Sequence, residues 1–377
     1  MLAIAWKFIR FDKAKSIGIV TAIVISIFLI GQQLGLLFYL MGLMGNLIGN
    51  APVKDNQIWI IEGQSNNINA INAIDQRLVQ EIGSLTGVNN TIPVVLAPAQ
   101  ATFLDGKTAA ITLVGSPAPQ FGIGPVPERI QEGAQHSLME PNAVSAEFFS
   151  AKNWNTELYL NKSLEINGKS AQLRVITKNA QAFGASYMYT SIENARFFGN
   201  VMPSKVSIII AELNNIDDKA KIIQEINQLY PTLRAWDVQK LRTSTIKEIL
   251  VSSNMGMSFG TLVFFAMISG FFIIGLTLYS SALDRIKDYG TLKAIGAKKT
   301  YVNKLIIAQA FLFALIGYVI ALFLLYGFKF GVSASGLVID ISLPFALFLL
   351  VLTLIISIGG SLFAVRKVSK LEPASVF

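Results

Sequence analysis

Four long stretches of apolar residues constrain what this chain can fold into. They run over about 16–49, 255–283, 305–328 and 341–365, and none contains Asp, Glu, Lys or Arg. A helix that crosses a bilayer needs about 20 mostly apolar residues, so each stretch is long enough to span a membrane. The composition agrees, because 53% of the 377 residues are hydrophobic and only 14% are charged. The sequence therefore predicts a membrane protein with four transmembrane helices.

The first stretch could also be a signal peptide, because basic residues precede an apolar run. Its apolar region is longer than that of a signal peptide, and no A-x-A-like cleavage site follows, which favours an uncleaved anchor. A helix over 16–49 would reach about 51 Å at about 1.5 Å per residue. Because this exceeds the hydrocarbon core, the helix is predicted to project beyond the membrane after Gln32 and Gln33.

The distribution of charge predicts the topology. Residues 1–15, the loop 284–304 and the tail 366–377 together hold 13 basic and 4 acidic residues, whereas residues 50–254 hold 17 basic and 18 acidic ones. The net charge of +8 therefore belongs to three segments beside membrane helices, on the side that the positive-inside rule makes cytoplasmic. Nucleic-acid binding is not expected, because this excess is not a patch on one domain.

This topology gives an N-terminus and a C-terminus in the cytoplasm and divides the chain into nine segments. Residues 2–9 place an apolar helical face beside basic residues, which fits either a helix on the membrane surface or a simple basic anchor. In order, the segments are a cytoplasmic interfacial segment (1–15), transmembrane helix 1 extending outward (16–49), a large extracytoplasmic α+β domain (50–254), transmembrane helix 2 (255–283), a cytoplasmic loop (284–304), transmembrane helix 3 (305–328), a short external loop (329–340), transmembrane helix 4 (341–365) and a cytoplasmic tail (366–377).

The predicted external domain contains two similar strand–helix–strand units. One begins at "NQIWIIEG" and the other at "VSIIIAEL", and together they predict a ferredoxin-like subdomain. Between them, "ATFLDGKTAAITLVG" and "KSLEINGKSAQLRVI" each place Asp-Gly or Asn-Gly between alternating apolar residues, which predicts two hairpins of a second, β-rich subdomain. The segment "VQKLRTSTIKEILVSSN" is expected to be a helix that runs without interruption into the second span.

No catalytic, metal-binding or cofactor-binding constellation is visible in the sequence. "ATFLDGKT" ends like a P-loop, but Ala101 replaces the first Gly and Gly106-Lys107 falls in a predicted hairpin turn. His136 is the only histidine and there is no cysteine, which excludes sites built from several of these ligands. The spans contain no ionisable residue for an ion pathway, and their glycines are expected to let helices approach closely, namely Gly270, Gly275, Gly359 and Gly360.

The loop at 284–304 has a pattern that membrane anchoring does not explain. Ile286, Tyr289, Leu292 and Ile295 recur every three residues, which predicts a short helix with an apolar face. Gly296 is expected to end this helix in the left-handed conformation, and Thr300 is expected to cap the next helix. Snorkelling of the basic residues would anchor the span ends, but it leaves the apolar stripe unexplained. The spacing alone therefore indicates a helix with an unknown partner.

The order Leu-Asp-Arg-Ile-Lys-Asp-Tyr-Gly-Thr-Leu-Lys-Ala-Ile-Gly-Ala at 283–297 resembles the signature cytoplasmic loop of MacB/FtsX-type ABC transporter permeases. The ending "AVRKVSKLEPASVF" is similar to the end of that family, except that Val376 and Phe377 replace its usual Leu-Arg. The resemblance is specific over about 255–377 and architectural over 1–254. With no ATPase fused to it, the chain is closest in plan to the split permeases of the DevC-like or lipoprotein-releasing kind.

The resemblance implies a non-catalytic permease subunit in the bacterial inner membrane. A separate ATP-binding subunit would hydrolyse ATP, and motion of the external domain would export or extract a substrate. A second permease copy is implied as a partner, with a periplasmic adaptor and an outer-membrane channel as further possible partners, and no cofactor is expected in this chain. The ATPase-coupling residues that the resemblance indicates are Arg285, Lys287, Tyr289, Gly290, Leu292, Lys293, Ala294, Ile295 and Gly296.

The alternative is an FtsX-like signalling subunit that regulates cell-wall hydrolases and transports nothing. FtsX resembles this sequence in the same loop, but its external segment is usually much shorter than residues 50–254. This difference favours transport. A membrane-embedded enzyme is the third possibility, and it lacks an identifiable catalytic constellation.

Overall fold

The computed structural model describes residues 2–11, 13–333 and 336–369, so the predicted tail from Lys370 onward, with Val376 and Phe377, lies outside the described residues. The chain forms two compact units. The helical unit comprises residues 1–39 and 256–377, and the α+β unit comprises residues 40–255.

The helices differ in length and composition between the two units. Four of them, α2, α9, α11 and α12, are long and apolar enough to cross a membrane. The helices are α1 (Leu2–Phe11), α2 (Lys13–Met44), α3 (Asn46–Gly49), α4 (Arg77–Gly83), α5 (Ser150–Trp154), α6 (Ile192–Gly199), α7 (Lys219–Leu229), α8 (Val238–Ser252), α9 (Met255–Asp284), α10 (Ile286–Ala294), α11 (Lys299–Ser333) and α12 (Leu343–Ser369), with 3₁₀ turns at Pro127–Arg129, Gln135–Met139 and Ile216–Asp218.

All described strands belong to the α+β unit. Ten form one branched sheet, and β2 and β10 form a separate pair. The strands are β1 (Gln57–Glu62), β2 (Ile74–Asp75), β3 (Val88–Phe103), β4 (Thr108–Ser116), β5 (Ile130–Gly133), β6 (Ala143–Glu147), β7 (Ser163–Ile166), β8 (Lys169–Thr177), β9 (Tyr187–Ser191), β10 (Lys205–Val206), β11 (Ile208–Leu213) and β12 (Leu233–Asp237).

The helical unit packs around a row of isoleucines on α2. Ile19, Ile23, Ile27 and Ile30 are fully buried in its main apolar cluster, and their spacing of three to four residues keeps them on one helical face. The helices also approach closely at glycines, as predicted. A Cβ on Gly360 of α12 would lie 2.9 Å from the backbone nitrogen of Gly275 on α9, so only glycines permit this crossing.

The ferredoxin-like prediction is confirmed by the strand order. The sheet runs β12-β1-β11-β3, and every pair in this run is antiparallel. The connections β1-α4-β3 and β11-α7-β12 therefore cross as in a split β-α-β fold. The β-rich subdomain, defined as β4 to β9 with the second half of β3, continues from the same strand. The fold class predicted from the sequence is confirmed.

Strand β3 differs from the prediction because it is a single strand of 16 residues. The sequence pattern predicts two elements here, the last strand of the first strand–helix–strand unit and the first strand of the hairpin "ATFLDGKTAAITLVG". In the structure, Ile92 to Val94 pair with β11, whereas Val95 to Thr102 pair with β4. The second predicted hairpin joins β7 and β8 through Asn167 and Gly168, which both have positive φ, as a two-residue hairpin turn requires.

Two helices end earlier than the sequence suggested. The helix predicted over 16–49 stops at Met44, and α3 follows after Gly45. A Cβ on Gly45 would lie 2.9 Å from the Arg242 side chain, so a larger residue at this break would require Arg242 to move. The prediction that α8 continues into the second span is wrong, because Asn254 has a φ of 55°. A left-handed residue ends a helix.

Candidate coupling surface on the short helix

The loop predicted at 284–304 is mostly helical in the structure. Helix α10 begins two residues after α9 ends, and α11 begins at Lys299. Gly296 has a φ of 100°, and the Ala297 N–H donates to the Leu292 carbonyl at 2.9 Å. This is the left-handed ending predicted for Gly296. The predicted cap at Thr300 is wrong, since Thr300 lies inside the first turn of α11.

Tyr289 holds α10 against the rest of the helical unit. Its side chain is only 1% exposed, and its hydroxyl donates to Oε1 of Gln309 on α11 at 3.3 Å. Burial raises the pKa of the phenol above its ordinary value of 10.0, so Tyr289 remains neutral at physiological pH. Gly290 beside it is also buried. These two predicted coupling residues therefore face the interior of this chain.

The cluster around Tyr289 brings together the segments that carry the positive charge. Helix α1, α10, the start of α11 and the end of α12 all contribute to it. Ala5 of α1 is fully buried there, a packing role that neither of the two interpretations of residues 2–9, a surface helix or a basic anchor, included. An ion pair also joins two of these segments, because Lys15 Nζ at the start of α2 lies 3.1 Å from Asp284 Oδ2 at the end of α9. The buried residues of this cluster are Ala5, Ala282, Tyr289, Val302, Leu305, Ile306, Ala364 and Val368.

The remaining coupling residues divide between the interior and the surface. Leu292 is half-buried and packs against the same cluster, and Arg285 is half-buried between α9 and α10. Ile295 lies just past the end of α10 and is 79% exposed. The backbone of Lys293 lies in α10, but its side chain is outside the described side chains. The other exposed members of the predicted set are Lys287, Ala294 and Gly296.

The segment 287–300 exposes Ile295 together with several charged residues. Ile295 has Lys287 on the preceding helix and Lys298 and Lys299 just after it, and all three lysines are exposed. A shallow depression lined by Ala297, Lys298, Thr300, Tyr301 and Lys304 follows directly. We call this the coupling surface, defined as the exposed residues of 287–300.

The P-loop-like segment and the single histidine lie in ordinary turns of the α+β unit. Gly106 has a φ of 78° in the turn between β3 and β4, and Lys107 pairs with Asp105 at 2.9 Å, which confirms the hairpin. His136 is exposed in a 3₁₀ turn. Across residues 2–11, 13–333 and 336–369, no group of three or more His, Cys, Asp or Glu could hold a metal ion.

The fold and the arrangement of this loop define a polytopic membrane protein with a large α+β unit. Residues 260–373 match the family model described as FtsX-like permease C-terminal. This segment contains α10 and the coupling surface. The match confirms the resemblance stated from residues 283–297, and this part of the chain is similar to the C-terminal part of FtsX-like permeases.

Three solved structures are similar to part of the chain, and no curated protein sequence matches it. The extracellular domain of the ABC-type transporter YknZ from Gram-positive bacteria is 14% identical, with a TM-score of 0.36, and the match covers 48% of this chain and 100% of that one. The periplasmic region of MacB from Actinobacillus actinomycetemcomitans is 10% identical, with a TM-score of 0.38, and the match covers 52% of this chain and 94% of that one. A domain of a putative permease protein from Porphyromonas gingivalis is 13% identical, with a TM-score of 0.29, and the match covers 48% of this chain and 88% of that one.

Proposed function

We propose that this chain is the membrane subunit of an ABC transporter and that a separate ATP-binding subunit docks on its coupling surface. The observation that carries this proposal is the division of α10. Tyr289 fixes the helix to this chain's interior, while Ile295 stays 79% exposed within a segment that matches the FtsX-like permease model. A partner that binds the exposed residue at the end of this anchored helix can displace α10, and the buried contact of Tyr289 would transmit that displacement to α11.

The orientation of the protein in the membrane is part of the proposal. The three basic segments meet at one end of the helical unit, through α1, α10 and the end of α12. This supports the charge-based topology, in which that end and both termini are cytoplasmic. The chain would then lie in the bacterial inner membrane with its α+β unit outside. A second permease copy would complete the membrane part of the transporter.

Movement of the α+β unit would drive export or extraction of a substrate, with an adaptor and an outer-membrane channel as further partners. The signalling alternative uses the same coupling surface, since the matching family is named after FtsX. The partners of the α+β unit distinguish the two functions. A cell-wall hydrolase recovered with the complex would favour signalling, whereas an adaptor or a channel would favour transport.

The docking proposal is tested by placing a charge at the centre of the coupling surface. Ile295→Asp is expected to abolish co-purification of the ATP-binding subunit, because docking would lose the apolar contact and would have to remove a charged carboxylate from water. The matched control is Leu104→Asp, since Leu104 is 77% exposed but lies on the hairpin of the α+β unit. Retained binding in Ile295→Asp, or equal loss in both variants, would contradict the proposal.

A further inference from the structure

A polar clasp holds the short helix α3 inside the α+β unit. We define the clasp as Asn46 and Asn50, at the two ends of α3, with Arg129 and Tyr189 of the β-rich subdomain. Both asparagines are buried. The Arg129 guanidinium donates to Oδ1 of Asn46 at 2.7 Å and to Oδ1 of Asn50. One cation therefore joins both ends of the helix.

The amide nitrogens of the two asparagines complete the clasp. Asn50 Nδ2 donates to the Tyr189 hydroxyl at 2.5 Å and to the Ala180 carbonyl at 3.2 Å. Asn46 Nδ2 donates to the Gln181 carbonyl. Each asparagine thus uses its oxygen towards Arg129 and its nitrogen towards the β-rich subdomain. A buried network in which every amide is paired is rigid and specifies one arrangement.

A buried carboxylate positions the backbone that receives these hydrogen bonds. Glu147 is 2% exposed, and it accepts hydrogen bonds of 2.9 Å from the Thr177 hydroxyl and from the N–H groups of Asn179 and Ala180. The carbonyls of residues 179–181 are then available to α3. In addition, the Lys178 N–H donates to the Arg129 carbonyl at 2.8 Å, so the same loop also holds the arginine.

A second link involves Met44, two residues before α3. Asn69 Nδ2 donates to the Met44 carbonyl at 2.9 Å, and Asn69 Oδ1 accepts from the Tyr187 hydroxyl at 2.8 Å. Met44 is the last residue of α2. Strand β9 is therefore linked to the segment 44–50 twice, directly through Tyr189 and through Asn69 from Tyr187. A flexible linker between α2 and β1 would not need these hydrogen bonds to β9.

We infer that Arg129 is a positioning residue, which makes the end of α2, α3 and the β-rich subdomain move as one body. Arg129 is the charged member that reaches both asparagines, and its hydrogen bonds to their oxygens are charge-assisted. Displacement of the last residues of α2, which belong to the α+β unit, would then displace the β-rich subdomain. That this movement serves transport rests on the function proposed above, whereas the coupled movement itself does not depend on it.

Distances between spin labels test this inference in the full chain, which contains no cysteine and therefore gives no background labelling. One label is attached at Gly42→Cys, where a Cβ meets nothing within 4 Å. The other is attached at Glu132→Cys, an exposed position on β5. The native background should give a narrow distance distribution. Arg129→Gln should widen it roughly twofold, as expected for local opening of a joint, and Asn46→Ala should widen it as well.

Two controls separate the clasp from general loosening. Arg77→Gln removes an exposed arginine that pairs with Asp75, two residues before it, and it should leave the distribution unchanged. A label pair at Gly42→Cys and Lys221→Cys reports on α7 of the ferredoxin-like subdomain and should stay narrow in Arg129→Gln. An unchanged 42–132 distribution in both clasp variants, or equal widening of the 42–221 pair, would overturn the inference.

Discussion

The Tyr289 hydroxyl donates a hydrogen bond of 3.3 Å to Oε1 of Gln309, twenty residues further along the chain. This contact ties the short helix α10 to α11 at the same end of the helical unit where α1 and α12 meet. The position of the coupling surface is therefore set by a buried aromatic ring and not by the charged residues around it. Substitutions at Tyr289 separate the contribution of the ring from that of the hydroxyl.

Tyr289→Ala should displace α10 and reduce association with the ATP-binding subunit. Truncating a buried aromatic ring costs about 3–5 kcal/mol, because it leaves a cavity. Tyr289→Phe keeps the ring and loses one hydrogen bond, which costs about 1 kcal/mol, so association should be retained. Thermal unfolding of the purified chain and co-purification of the ATP-binding subunit measure the two effects. Equal association of Tyr289→Ala and the native protein would show that α10 does not need this anchor.

Leu292→Asp should behave differently from Ile295→Asp, although the two residues belong to one apolar stripe in the sequence. Leu292 is half-buried against the Tyr289 cluster, so a carboxylate there lowers the stability of the helical unit as well as partner binding. Ile295→Asp should affect partner binding alone. Melting temperatures of the two variants, measured without the partner, check this difference. A melting temperature for Leu292→Asp equal to that of Ile295→Asp would contradict the assignment.

Arg129→Gln should uncouple ATP hydrolysis from transport. Loss of the guanidinium leaves the buried oxygens of Asn46 and Asn50 without their donor, at about 1–3 kcal/mol for each unsatisfied group. A penalty of this size at even one of the two asparagines shifts the population of the open clasp roughly 5- to 150-fold. ATP hydrolysis by the partner should remain near its native rate, because Arg129 lies in the α+β unit, while substrate movement falls. Parallel loss of both activities would argue against uncoupling.

Asp237 should make the stability of the α+β unit depend on pH. It caps α8 by accepting from the N–H groups of Gln239 and Lys240, and it pairs with Lys219 at 2.6 Å. Burial alone would raise the pKa of Asp237, but Lys219 and the two N–H groups outweigh it and lower the pKa below the ordinary 3.8. Because the folded pKa is below the unfolded one, the stabilisation is present above the unfolded value and lost as the pH falls through the folded value.

Asp237→Ala should therefore lower the free energy of unfolding at neutral pH by about 1 kcal/mol, the usual cost of losing a cap. The difference from the native chain should shrink as the pH is lowered towards 3. Asp237→Asn keeps an oxygen for the cap but removes the ionisable group, so it should lose the pH dependence. Denaturant unfolding of the three proteins across this pH range measures the effect. If the difference in unfolding free energy between Asp237→Ala and the native chain grew as the pH fell, the lowered pKa of Asp237 would be contradicted.

The sequence predicts most of the architecture because the strongest patterns are local. Runs of apolar residues without charge locate α2, α9, α11 and α12 to within a few residues, except that α11 starts at Lys299 and not at 305. The two strand–helix–strand units predict the ferredoxin-like order, since this order follows from right-handed crossovers. The breaks at Gly45 and Asn254 were not predicted, because a single glycine or asparagine inside a helical pattern does not by itself mark where a helix ends.

The coupling surface and the clasp show where prediction from the sequence ends. A repeat of three indicates that α10 has an apolar face, but only the packing of α1 and α11 decides that Tyr289 points inward and Ile295 outward. The clasp joins Asn46 to Arg129, which are 83 residues apart, and each would pass as an ordinary surface residue in the sequence. Contacts at such separation leave no local periodicity, and so the sequence analysis found no signal for them.

The central claim is that an ATP-binding subunit docks on the coupling surface, and site-specific photocrosslinking tests it most directly. A photoreactive amino acid is placed at Ile295 in the full chain in its native membrane, and the same amino acid is placed at Leu104 for comparison. We expect the probe at 295 to capture an ATP-binding subunit and the probe at 104 to leave it uncaptured. Lipid adducts without any protein adduct at 295, or capture of the same subunit at 104, would contradict the account.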